Sequence, residues 1–191
     1  MSIESYISAL PKAELHVHLE GSTQPETLLE LADRNGVKLP ASTVEDLRRL
    51  YVFRDFDDFI QIYLLIIKCL QKQQDFSDIV YRFGAEMARQ NIRYAEVTWT
   101  PQFYVKGDNQ MPFPVLLEAL NDGRERARRE WGVEMRWIPD IVRNMPQYMH
   151  EVAEWVSSPA ARDGGVVALG LGGFEVGYPP EQFEEPFRYA R

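Results

Sequence analysis

Ala13 to Leu19 alternates apolar and polar residues, the period of a strand with one covered face. On that alternation Glu14, His16, His18 and Glu20 share one side, and Ala13, Leu15, Val17 and Leu19 the other. The spacing then changes to that of a helix. Thr23 to Glu26 reads as a capping box with Pro25 in the first turn, and Gly36 closes the end. Helical spacing continues in "DFDDFIQIYLLIIKCLQK" and in "DFSDIVYRFGAEMARQN", the second capped by Asp75. A β-rich run follows at Ile92 to Thr100.

The cycle repeats twice more. A helix from Val115 to Trp131 leads through Gly132 into "VEMRWIPD", and one from Pro146 to Val156 leads into "GVVALGLGG". A last helical stretch, "EPFRYAR", closes the sequence. About four strands, each followed by helix, predict an α/β fold with a parallel sheet, because parallel neighbours need long crossovers. A doubly wound sheet and a (β/α) barrel both satisfy this pattern. The closing helix has no stop signal, and after Val166 to Leu171 nothing is left to pair with that strand's far edge. The expectation is a barrel truncated after about four strands, with its missing part C-terminal.

Composition narrows the function classes. The 191 residues are 45% hydrophobic and 26% charged, as in an ordinary globular domain. A net charge of −8 argues against a phosphate-binding surface, so no nucleic-acid partner is expected. The basic cluster Gly123 to Trp131 alternates with acids and reads as a solvated helix face. The single cysteine, Cys69, excludes an internal disulfide and sits in an apolar helix as a buried thiol. The N-terminus lacks the apolar segment of a signal peptide, and the longest apolar run, Ile62 to Ile67, is far short of a bilayer span. A cytoplasmic protein without membrane contact is expected.

Candidate chemistry centres on "AELHVHLEGS". Two imidazoles at i and i+2 on a strand can converge on one cation, as zinc ligands do. A polar strand face turned to solvent would look the same in isolation. In a parallel sheet both faces are normally covered, so ionisable side chains there need partners. The longer string "LPKAELHVHLEGS", together with "GLGGFEVGYPPEQF", resembles the adenosine deaminase family of metal-dependent amidohydrolases. The glycines of the second string do not form a dinucleotide fingerprint. The third Gly of GxGxxG is absent, and Tyr178-Pro179-Pro180 follows instead of a helix start.

The resemblance runs from about Leu10 to Arg191 and implies a partial (β/α)8 TIM-type barrel, residues 1–191 being the N-terminal portion of a single deaminase domain. It implies one zinc ion per subunit, with His16 and His18 as ligands. It also implies that His18, Glu20 and Gly173 contact a small-molecule purine substrate, and that Ile60, Tyr63 and Leu64 lie where the family has a helix over the pocket. Two positions depart from the adenosine-specific pattern. Glu20 stands where adenosine deaminases carry Asp, and the usual Asp-x-Ala-Gly of strand four is Gly170-Leu171-Gly172-Gly173 here. The implied reaction is hydrolytic deamination, adenosine to inosine, with adenine or another aminopurine as the alternative. A non-catalytic binding protein on a degraded barrel is the reading from another class. The family's third metal histidine and its general-acid glutamate belong to a strand-five motif beyond Arg191, so no catalytic residue is assigned and the 191-residue chain is expected to be inactive. His150 reads as a solvated helix histidine, and Glu96, Asp140 and Arg143 read as structural or supporting groups. Oligomeric state is not legible.

Overall fold

The structure, a computed structural model, describes residues 2–107 and 110–191. Four strands, β1 (Lys12–His18), β2 (Ile92–Trp99), β3 (Glu134–Val142) and β4 (Gly170–Gly172), form one parallel sheet in the order β1-β2-β3-β4. A doubly wound sheet reverses its strand order at a switch point. Here every strand lies beside its predecessor, so the crossovers all wind the same way and the sheet curls into half of a (β/α) barrel.

The helices account for most of the chain: α1 (Ile3–Ala9), α2 (Pro25–Asn35), α3 (Val44–Leu50), α4 (Phe56–Cys69), α5 (Gln73–Arg89), α6 (Gln102–Val105), α7 (Phe113–Trp131), α8 (Met149–Val156), α9 (Pro159–Asp163) and α10 (Glu184–Ala190). Among the described residues no helix is long and apolar enough to cross a membrane. The main core lies between sheet and helices, where Val97, Met135 and Trp137 meet Leu28, Ile66, Phe76, Val80 and Leu120. Ile141, Val152 and Phe183 pack in a second cluster beside β4.

Several local expectations are corrected. The capping box at Thr23 does not form. Gln24 occupies the N-cap of α2, and Thr23 instead closes a 3-10 turn at Glu20–Ser22. Gly36 does end α2, in the left-handed conformation (φ 64°) that favours glycine. The helix α5 begins before Asp75. That carboxylate sits in the first turn and accepts the N–H groups of Gln71 (3.0 Å) and Lys72 (2.9 Å), together with Arg34 (3.0 Å) and Asn35 (2.7 Å) of α2. The fourth strand is shorter than expected: Val166 makes only an isolated bridge to Trp137, and β4 proper starts at Gly170.

The first strand departs most. Its register with β2 shifts between Glu14 and Val17, and the His16 N–H turns to the Glu14 carboxylate at 3.1 Å. The strand ends at His18, and Leu19 is already helical (φ −55°, ψ −49°). Glu20 therefore leaves the face it would share with the histidines in an unbroken alternation.

Candidate active site

The C-terminal ends of the strands converge on a cavity of about 470 Å³. His18 closes β1, Thr100 follows β2, Asp140 and Val142 lie at the end of β3, Gly172 ends β4 and Gly173 follows it; all six line the cavity. Strand C-termini are where a parallel barrel exposes side chains to a common space, since loops rather than ladders follow them. The helix α4 covers the cavity with one face, to which Ile60, Tyr63 and Leu64 all contribute. Phe56 at the start of α4 meets Phe174 of the loop after β4 edge to face, with ring centroids 5.5 Å apart.

His16 and His18 stand side by side, ring centroids 5.4 Å apart and planes at 70°. His18 is partly buried against Tyr63, with ring centroids 6.4 Å apart, whereas His16 is exposed and outside the cavity wall. Burial, and next the neighbouring charge of His16, lower the pKa of His18. Two adjacent imidazoles supply half of a tetrahedral zinc shell. Among the described residues no group of three or more His, Cys, Asp and Glu is placed to hold a metal. The pair fits as a partial donor set.

Glu20 lies beneath the cavity wall and is 1% exposed. Its Oε1 accepts the Thr100 N–H at 3.0 Å and the Tyr104 hydroxyl at 3.1 Å, and its Oε2 accepts the Tyr63 hydroxyl at 3.2 Å. Burial raises its pKa, and these donors oppose the rise. Asp140 is equally buried, and its pKa is raised well above the carboxylate range by burial and then by Glu20. Burial followed by the charge of Glu20 likewise raises both tyrosines.

The loop after β4 is held against β3. The Arg143 N–H donates to the Gly172 carbonyl at 2.9 Å, and its guanidinium donates to the Tyr178 carbonyl, also at 2.9 Å. Gly173 has φ 90°, and a Cβ there would stand 2.8 Å from Asn144 Oδ1. Only a glycine sits there without strain.

Of the residues singled out in the sequence, His18, Ile60, Tyr63, Leu64 and Gly173 meet around the cavity. His16 adjoins it through His18, Glu20 lies under Tyr63, and His150 is exposed on α8. Thr100, Phe103, Tyr104 and the cavity-facing position of Asp140 escape sequence reasoning. The available signal was position, since Thr100 and Asp140 lie at or just after strand ends.

A curled parallel sheet with polar groups converging at its C-terminal rim, over a largely apolar cavity, is the working end of a β/α-barrel protein. The chain belongs to the adenosine deaminase family, whose sequence profile matches residues 11–191. It is 35% identical over 191 residues to an adenine deaminase from Bordetella avium, an alignment covering 99% of this chain and 58% of that protein. The solved adenine deaminase from Arthrobacter aurescens superposes with a TM-score of 0.84 at 31% identity, covering 95% of this chain and 54% of that one. A zinc-bound amidohydrolase from Burkholderia ambifaria superposes with a TM-score of 0.87 at 27% identity, over 100% of this chain and 52% of that one. The chain thus spans a little over half the length of the relatives it matches.

Proposed function

We propose that this chain is the N-terminal portion of a single metal-dependent barrel domain, and that the whole protein is a cytoplasmic hydrolase deaminating an aminopurine, with adenine as substrate. The cavity at the strand C-termini carries this reading, because the histidine expected to hold metal and the glycine expected to approach the base open onto the same space. The sequence motifs put adenosine first. The relatives named adenine deaminase favour the alternative. Glu20 supports it too: held by three donors inside the protein, it is not extended toward a sugar.

In this reading His16 and His18 hold one zinc ion per subunit. When bound, zinc supplies a water acidified toward ~7 as the nucleophile. Tyr63 and the aromatic residues of the wall exclude solvent from the base and offer it flat apolar contact. Gly173 lets the purine approach the backbone closely. Glu20 anchors Tyr63, Tyr104 and the start of the β2 loop in one network and so fixes the wall beside His18.

The test is ammonia release by the full-length protein from adenine and from adenosine, beside zinc content. Adenine is expected to turn over faster, and replacing both His16 and His18 by Ala is expected to remove zinc and activity together. Faster turnover of adenosine overturns the substrate assignment, and a zinc-replete double variant overturns the metal assignment. The 191-residue chain alone is expected to release no ammonia.

A further inference from the structure

Gly170-Leu171-Gly172-Gly173 departs from the adenosine-type Asp-x-Ala-Gly at its first and third positions, and one neighbour fits both changes. Asp140 of β3 is the ladder partner of Gly170. A Cβ at Gly170 would lie 3.0 Å from the Asp140 Cβ, and one at Gly172 only 2.4 Å from Asp140 Oδ2. An aspartate at 170 and an alanine at 172 would crowd this carboxyl group from the adjacent strand. The two glycines clear the space it fills.

We infer that Asp140 supplies from β3 the acid group that the adenosine-type pattern places on β4, and that it contacts the substrate in the cavity. The second half of this inference rests on the purine-deaminase reading above. Asp140 lines the cavity, and its Oδ1 is buried without a hydrogen-bond partner. An unpaired buried oxygen beside a ligand space is costly until a ligand pairs with it. Its backbone is fixed on the β2 side by the Gln102 side chain, whose amide nitrogen donates to the Asp140 carbonyl at 2.9 Å and whose oxygen accepts the Val142 N–H at 3.0 Å. On its other side it pairs with β4. The Asp140 backbone is therefore held on both sides, which fixes where its side chain leaves β3. An aminopurine presents N–H donors and ring-nitrogen acceptors, and a carboxyl group can match either.

Two arms test this in the full-length protein. For the contact, Asp140→Ala is expected to lower kcat/KM for adenine by about tenfold or more, chiefly through KM. Moving the acid across the ladder, Asp140→Gly with Gly170→Asp, is expected to restore part of the loss. A kcat/KM within about twofold of the parent in Asp140→Ala overturns the contact. If that variant fails to fold, the isosteric Asp140→Asn decides, with a KM rise of about threefold or more expected and an unchanged KM contrary. For the placement, Gly172→Ala should lower the melting temperature of the parent but not of Asp140→Gly; equal effects in both overturn it. A parent protein that deaminates no purine sinks the functional reading, while the melting comparison still decides where the acid sits.

Discussion

Cys69 ends α4 in full burial, and its surroundings push the thiol pKa up to about 11, chiefly through desolvation of the thiolate. A raised pKa favours the protonated, unreactive form until the pH approaches 11. At pH 8 the native protein should react with a thiol reagent at least about 100-fold more slowly than the same protein in denaturant, and faster as pH rises. Labelling at the unfolded rate under native conditions would show that the site is open. The sequence revealed this residue correctly because an apolar helical neighbourhood is a local property. Glu20 shows where such reading stops. Counting by twos from His18 assumes the strand continues, but the chain turns at Leu19 and carries the carboxylate into a pocket made by Tyr63, Tyr104 and Thr100. Those donors are 43 to 84 residues away in sequence. No local pattern contains them.

The helices α5 and α7 were visible from their spacing, and their contact was not. They cross so closely that a Cβ at Gly84 would lie 2.4 Å from the Ala127 Cβ, and one at Gly123 would lie 2.4 Å from the Ser77 carbonyl. The stretch that reads as a solvated basic face is therefore only partly so, since Gly123 and Ala127 form its buried seam while Arg128 and Arg129 face out. Gly84→Ala should destabilise the protein by about 1–3 kcal/mol through overpacking, despite alanine's better helix propensity. Adding Ala127→Gly should recover part of that loss, reduced by the ~1 kcal/mol cost of a helical glycine. Denaturant midpoints of the parent and the two variants check both statements, and a stable Gly84→Ala protein would mean the helices can separate at no cost. The short helices α1, α3, α6 and α9 escaped detection, since seven or fewer residues give little periodicity, although the equally short α10 was read from "EPFRYAR".

For the whole molecule, the alternation of strand and long crossover made the parallel sheet legible, and the family motifs selected a barrel over a doubly wound sheet. The strand order settled that choice through pairings that periodicity does not encode. Both outer strands have one unpaired side among the described residues, and Leu15 on β1 is 61% exposed. Open strand edges recruit other strands. A solution of the 191-residue chain should associate in a concentration-dependent way by sedimentation, and a monomer over a wide concentration range would speak against exposed edges. The sheet also deals with one edge internally. β2 stops pairing with β3 at Trp99, three residues before Gln102, yet β3 runs on to Val142. There the Gln102 amide meets the Asp140 carbonyl and the Val142 N–H as a peptide group of a neighbouring strand would. One borrowed amide thus extends the weave past the point where its thread runs out. The chain is released to splay outward into α6, and the rim of the bowl widens without a torn stitch beneath it.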